Sequence, residues 1–186
     1  MNRFDVTKTP LDGLLVLHKK PLCDDRGHLS RLFCQRNFFE LGLEFPIVQI
    51  NHTLTKQSGT VRGMHYQNPP YAEKKLVQCI RGSIWDVAVD LRSDSESFLQ
   101  WFALELCPDN QQCLYIPEGF AHGFQTLEDN SELLYFHSEF YVQNAEGGLN
   151  PLDDRLDISW PLPVVGLSER DKNHPLLSDK FKGVCL

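Results

Sequence analysis

Along most of the chain apolar and polar residues alternate with a period of two, the pattern of strands that bury one face. The clearest stretch is Leu76 to Leu91. Trp85, Val87, Val89 and Leu91 fall on one side of it, and Asp86, Ala88 and Asp90 on the other. Arg81-Gly82-Ser83 interrupts the run, so it reads as two strands of a hairpin. Phe102, Leu104 and Leu106 continue the alternation as far as a turn at Pro108-Asp109-Asn110. Cys113 to Ile116 is a further strand, closed by Pro117-Glu118-Gly119, and Phe120 to Leu127 follows. In Leu133 to Tyr141, residues Leu133, Tyr135, His137, Glu139 and Tyr141 share one face, and Leu134, Phe136, Ser138 and Phe140 the other. One face is fit for packing; the other carries the titratable groups expected of a strand that lines a pocket.

Nearer the N-terminus, Leu14 to Leu17 is a short apolar run after Gly13, and Asp24-Asp25-Arg26-Gly27 is a turn signal. Leu29 to Phe33 and Ile47 to Thr53 read as strands, and Asn37 to Leu43 as a short helical turn. Many short strands separated by turns about every 8–12 residues predict an all-β sandwich or barrel. After Trp160 the chain is Pro-rich and polar. It is expected to wrap the barrel as loops and short helical turns from Ser168-Glu169-Arg170-Asp171 onward.

The 186 residues suit a single domain over 1–186, with enough apolar content (41%) for a sizeable core. A net charge of −7 without charge blocks argues against nucleic-acid binding, so an anionic ligand needs a local basic cluster. No apolar run approaches the roughly 18 residues of a membrane span, and Met1-Asn2-Arg3-Phe4-Asp5 lacks a signal peptide's apolar core. The expected location is the cytoplasm. Cys23, Cys34, Cys79, Cys107, Cys113 and Cys185 are scattered with no C-x-x-C pair, and read as buried free thiols.

Chemistry concentrates in Thr60-Val61-Arg62-Gly63-Met64-His65-Tyr66-Gln67. His65 is expected to point into the barrel. The His-x-His pair common in metal-holding barrels is missing. His65 with a distant His122 is a poor transition-metal site, so no metal is expected. The alternative is a base. Histidine titrates near neutrality, and a carboxylate on one ring nitrogen makes the other more basic. The residues alone leave the identity of that carboxylate open.

The stretch Val61 to Gln67 closely resembles the signature of the dTDP-4-dehydrorhamnose 3,5-epimerase family. So do Lys75-Leu76-Val77, Arg81-Gly82, Asp86 to Arg92, Ile116 to Phe124, Leu134-Tyr135, Trp160-Pro161-Leu162 and Leu167 to Asp171, in family order. The resemblance implies a cupin-like jelly roll, free of metal and cofactor and usually dimeric, acting on a nucleotide-diphosphate 4-keto-6-deoxysugar. It implies His65 as the base that removes a proton beside the ketone, Asp171 as its orienting partner, Tyr135 as the acid on the opposite ring face, and Lys75 near the 4-keto oxygen. It also implies that Arg26, Arg62 and His122 hold substrate. Gln49 and Asn51 would contact the nucleotide, Tyr141 would stack on the base, and Glu146 and Arg170 would make further contacts. Inversion needs proton carriers on both faces of the ring, and an enolate needs a donor at its oxygen.

Three departures bear on the substrate. Arg31 ends Gly27-His28-Leu29-Ser30-Arg31 where the family often has Gly-x-Phe-x-Glu, so it stands at a nucleotide-contact position. Phe136-His137 replaces a pair that often begins with Lys, which makes His137 the next donor to consider after Tyr135, and Arg170 stands where Lys is common. Trp85, Phe120 and Phe124 read as core, Tyr66 and Gln67 as pocket wall, and Asp90 with Arg92 as a structural pair. The rival functions are a sugar-nucleotide 3,4-ketoisomerase, a catalytically silent sugar-nucleotide-binding cupin and a metal-dependent cupin oxygenase.

Overall fold

The computed structural model describes residues 2–186. Its strands are β1 (Phe4–Lys8), β2 (Leu15–Lys19), β3 (Leu22–Asp24), β4 (Gly27–Leu29), β5 (Gln49–Thr55), β6 (Val61–Gln67) and β7 (Lys75–Arg81). They continue with β8 (Ile84–Asp90), β9 (Trp101–Leu106), β10 (Gln112–Ile116), β11 (Phe120–Thr126), β12 (Ser131–His137) and β13 (Glu146–Gly148). Two short helices, α1 (Gln35–Glu40) and α2 (Glu169–Lys172), and one 3-10 turn at Gln143–Ala145 complete it. A six-stranded sheet runs β1-β2-β10-β7-β12-β5, a five-stranded sheet β13-β6-β11-β8-β9, and β3 and β4 form a separate hairpin. All the strand pairings are antiparallel, and the two larger sheets pack as an all-β cupin-like jelly roll.

The alternation predicted in the sequence becomes three apolar layers. Val16, Val77, Cys79, Leu114, Ile116 and Leu133 of one sheet meet Ile84, Ala88, Leu106, Phe120 and Phe124 of the other in the space between them. The opposite faces are covered separately. Phe38, Phe45 and Phe4 pack with Leu17, Leu76, Cys113, Tyr115 and Phe136 on the outside of the six-stranded sheet. The C-terminal segment covers the other sheet: Leu149, Leu156, Leu177 and Val184, with Trp160 and Phe181 beside them, lie on Met64, Val87, Val89, Leu91 and Ala121. Trp85 joins that layer, while Phe120 and Phe124 belong to the central one, so all three are core as expected.

Hydrogen bonds latch the C-terminal segment in place. The buried Gln125 amide accepts from Leu162 N–H (2.9 Å) and donates to Leu162 C=O (2.8 Å), and Trp160 Nε1 donates to Pro151 C=O (2.9 Å). Asp90, buried, accepts from Arg92, Ser95 and Ser97, so the Asp90–Arg92 pair is structural.

Four expectations are corrected. First, β7 and β8 are consecutive strands but not a hairpin. β7 pairs with β10 and β12, and β8 with β9 and β11, so the chain changes sheets at Gly82. Gly82 has φ +71°, and a Cβ there would lie 2.5 Å from Ser131 Oγ, so the corner needs glycine. Second, the strand begun at Leu133 stops at His137; Glu139 and Tyr141 lie beyond it, where Gln49 accepts from Tyr141 N–H and ties the loop down. Third, Leu29 ends β4, and residues 30–34 leave the sheet to deliver Phe33 to the aromatic layer. Fourth, of the six free cysteines only Cys79 and Cys113 are buried. No helix among the described residues is long and apolar enough to cross a membrane.

Candidate active site

A cavity of about 220 Å³ lies between the sheets, lined by β5, β6, β7, β11 and β12 and by the loop from Tyr141 to Glu146. Its construction begins at Gly63. Arg62 and His65 are three residues apart, a spacing that puts side chains on opposite faces of a regular strand. Both line the cavity. His65 lies opposite His122 and Arg62 opposite Phe124, so three steps along β6 match two along β11. The extra residue is a bulge, which turns Arg62 to the same side as His65. Gly63 has φ +122°, and a Cβ there would lie 2.6 Å from Gly123 Cα and 2.7 Å from His122 C=O. Only glycine fits this close approach of two strands.

Asp171 arrives from the far end of the chain. Ser168 caps α2, its hydroxyl accepting from Asp171 N–H (3.0 Å). The Asp171 carboxylate then reaches β6, accepting from Gly63 N–H (3.3 Å) and meeting His65 Nε2 at 2.7 Å. Burial works against its ionisation, but His65, Gly63 and Ser168 outweigh that and hold its pKa at about 2. An ionised carboxylate only accepts, so Nε2 carries the proton and donates it. Nδ1 is left with the lone pair and has no hydrogen-bond partner among the described residues. Arg170 Nη2 also lies 2.9 Å from Nε2, a contact that is not a hydrogen bond while Nε2 directs its proton to Asp171; Arg170 donates to Glu146 at 3.2 Å, and Tyr141 OH donates to Glu146 at 3.0 Å. Tyr141, Glu146 and Arg170 thus form the rim of the cavity.

On the same wall His122 meets the buried Asp86 at 2.7 Å. Burial pushes the Asp86 carboxyl up, against the pull of His122. His122 is therefore oriented by a carboxylate of its own.

The facing wall comes from the six-stranded sheet. Tyr135 is half-buried in the cavity wall, its ring 5.9 Å from that of His122, and its hydroxyl makes a long contact (3.5 Å) with Thr53. Burial pushes the phenol far up, so it remains a protonated donor across the physiological range. Lys75 is buried and pairs with Glu73 at 3.1 Å. Glu73 also accepts from His137 Nδ1 at 2.7 Å. Its burial opposes ionisation, but Lys75 and His137 outweigh that and keep the carboxyl below its usual range. With Nδ1 donating, His137 Nε2 accepts from the Asn51 amide at 3.3 Å; Gln49 in turn donates to Asn51 at 3.3 Å.

The structure thus brings His65, Lys75, Tyr135, Asn51, Arg62, His122, Tyr141, Glu146 and Arg170 to one cavity, with Tyr66 and Gln67 in its wall. Asp171 stands behind His65, and Gln49 behind Asn51. Two expected residues lie elsewhere. Arg26, with its side chain 89% exposed, is held by Asp24 at the tip of the β3–β4 hairpin. Arg31 donates to Asn37 (3.2 Å) of α1. Short-range pairing explains both: the turn places Asp24 two residues from Arg26, and α1 brings Asn37 within reach of Arg31. Sequence reasoning missed Glu73, Thr53 and Asp86. Asp86 alone had a readable signal, since it shares its inward face with Ala88. Also missed is the cluster of His174 with His65 and Asp171.

A jelly roll with an imidazole–carboxylate couple facing a phenol and a lysine across one cavity defines a proton-transfer enzyme of the cupin-like kind. The family model for dTDP-4-dehydrorhamnose 3,5-epimerase matches residues 8–179. A dTDP-4-dehydrorhamnose 3,5-epimerase of Shigella flexneri is 40% identical over 171 residues, 91% of this chain and 94% of that one. The crystal structure of the Elizabethkingia anophelis dTDP-4-dehydrorhamnose 3,5-epimerase superposes with a TM-score of 0.91 at 37% identity, covering 97% of this chain and 100% of that chain. That of a Legionella pneumophila dTDP-6-deoxy-D-glucose-3,5-epimerase in complex with dTDP-4-keto-L-rhamnose gives 0.91 at 34% identity, covering 98% of each. The chain belongs to the dTDP-4-dehydrorhamnose 3,5-epimerase family of isomerases.

Proposed function

We propose that this protein epimerises a dTDP-linked 4-keto-6-deoxyhexose at C3, C5 or both, by proton abstraction and return through an enolate. The observation that carries the reading is the placement of His65 and Tyr135 on opposite sheets facing one cavity, the arrangement inversion requires. His65 Nδ1 takes the proton beside the ketone, and Asp171 stabilises the imidazolium that results. Lys75, aimed by Glu73, meets the ketone oxygen where negative charge develops. Tyr135 returns a proton from the other face. Arg62 and His122 hold the diphosphate and sugar, and Asn51, Gln49, Tyr141, Glu146 and Arg170 hold the nucleotide end.

We place the reaction in the cytoplasm, supplying deoxysugar to surface polysaccharide such as O-antigen, in a protein that folds as one domain, binds neither nucleic acid nor membrane, and works as a homodimer. β5 is a sheet edge with Val48, Ile50 and Leu54 exposed beside it, suited to a second copy. In that assembly the exposed Arg26 and Arg31 would serve the partner's cavity rather than their own.

The test is incubation with dTDP-, CDP- and GDP-linked 4-keto-6-deoxyglucose in deuterated water, read by NMR. The reading expects deuterium at C3 or C5 with inversion of the dTDP-linked sugar. Exchange without inversion would favour a ketoisomerase, and absence of exchange a silent binding protein.

A further inference from the structure

His174 follows Asp171 by three residues, just past the end of α2. Its ring packs against Gly148, where any Cβ would collide with it, and β13 pairs Gly148 with His65. Its Nε2 lies 3.8 Å from Asp171 Oδ1, and its ring centroid 5.7 Å from that of His65. That Nε2 is buried and has no hydrogen-bond partner among the described residues. An orphaned buried polar atom is uncommon and calls for a ligand.

We propose that His65 Nε2, Asp171 Oδ1 and His174 Nε2 form a binding site for a borderline divalent cation such as Zn²⁺, and that the bound cation switches His65 off. The three donor atoms lie within 4.8 Å of one another. A tetrahedral Zn²⁺ with bonds of about 2.1 Å spaces its ligands roughly 3.4 Å apart. The separations of 2.7 Å and 3.8 Å from Asp171 bracket that figure, so side-chain adjustment of the two imidazoles completes the site. Two imidazoles and one carboxylate favour Zn²⁺, Co²⁺ or Ni²⁺ over Mg²⁺ and Ca²⁺, which prefer all-oxygen sets. Arg170, now 2.9 Å from His65 Nε2, must step aside; it is half exposed, and Glu146 already offers it a resting place. A second depression, which shares Arg62, His65 and Arg170 with the substrate cavity, reaches Ser168 and Asp171 on this side.

The consequence follows from imidazole's single proton. A cation on Nε2 displaces the proton held toward Asp171, and the neutral ring then carries it on Nδ1. The nitrogen that must accept from substrate becomes a donor. Binding is independent of the epimerase reading; inhibition rests on it.

The test is titration of chelator-treated protein with Co²⁺, followed by its visible d–d absorption, then displacement by Zn²⁺. One equivalent is expected in the parent protein. His174→Ala and His174→Phe, the second filling the ring's space, should each weaken binding by about tenfold or more. Their metal-free exchange activity should stay within about threefold of the parent. Zn²⁺ should suppress exchange in the parent reversibly, with chelator restoring it, and the variants should need about ten times more metal. Co²⁺ without stoichiometric absorption, or unchanged affinity in both variants, overturns the site. Binding as expected with equal Zn²⁺ sensitivity in parent and variants overturns the switch. Lack of exchange in metal-free parent protein refutes the epimerase reading, and the Co²⁺ titration still decides the site.

Discussion

The two walls of the cavity are built from different chemistry. On the five-stranded sheet two imidazoles are each backed by a carboxylate of their own, His65 by Asp171 and His122 by Asp86, both at 2.7 Å. On the six-stranded sheet a single carboxylate, Glu73, is shared between Lys75 and His137, and Tyr135 has no carboxylate partner. On the proposed mechanism the first wall accepts a proton, because each carboxylate fixes the orientation of a ring. The second is organised to donate, because burial keeps the phenol protonated and Lys75 brings a positive charge. On the proposed mechanism sheet topology becomes reaction stereochemistry: the base and the acid come from different sheets, with the substrate between them.

Removing the base from the first wall should have the largest effect. His65→Asn is expected to lower solvent-deuterium exchange by about 10²–10⁴-fold, with nucleotide binding nearly intact by calorimetry. A variant retaining more than about a tenth of the exchange would remove His65 from the base position. On the second wall, Lys75→Met should cut kcat by about 10²–10³-fold and move KM little, since an enolate donor acts chiefly in the transition state. A rise in KM at unchanged kcat would make Lys75 a binding residue only.

The bulge that aims Arg62 and His65 together should be intolerant of a side chain. Gly63→Ala places a methyl against Gly123 and the His122 carbonyl in a strained backbone conformation, at a cost of about 3 kcal/mol. For a chain of this size that lowers Tm by about 6–12 °C, and melting measures it. A smaller pH effect belongs to Asp171. Its folded pKa of about 2 lies below the ordinary 3.8, so the unfolded chain binds the proton more readily. Its stabilisation is complete above about pH 5 and is lost as pH falls toward 2. Asp171→Asn should flatten this acid limb of stability; an unchanged acid limb would mean the carboxylate is not held down by its partners.

The strands were legible in the chain; the partners were not. Alternation correctly placed Val87 and Val89 on one face and Asp86 and Ala88 on the other, because period two reports faces. It gives no partner, which is why β7 and β8 read as a hairpin although a corner at Gly82 sends them to different sheets. The candidate site shows the same division. His65, Arg62 and Lys75 stand in recognisable motifs and line the cavity, whereas the pairs Glu73–His137 and Asp86–His122 join residues 64 and 36 positions apart, with no local signal. Arg26 matched a substrate-holding position and Arg31 departed from the family at a nucleotide-contact position, yet each satisfies its charge or donors on a nearby residue outside the cavity.

The division of labour between the walls is tested most directly by Tyr135→Phe in deuterated water. The substitution keeps the ring and its packing on Phe124 and His122 but removes the donor. One incubation with the dTDP-linked 4-keto sugar, read by proton NMR, reports isotope content and, through ring couplings, configuration. His65 can still remove a proton and return deuterium to the same face. The expected result is continued deuterium entry beside the ketone with inversion reduced on the order of 10²–10³-fold. Exchange and inversion falling together, or inversion persisting at the parent rate, would contradict the assignment of abstraction and return to opposite sheets.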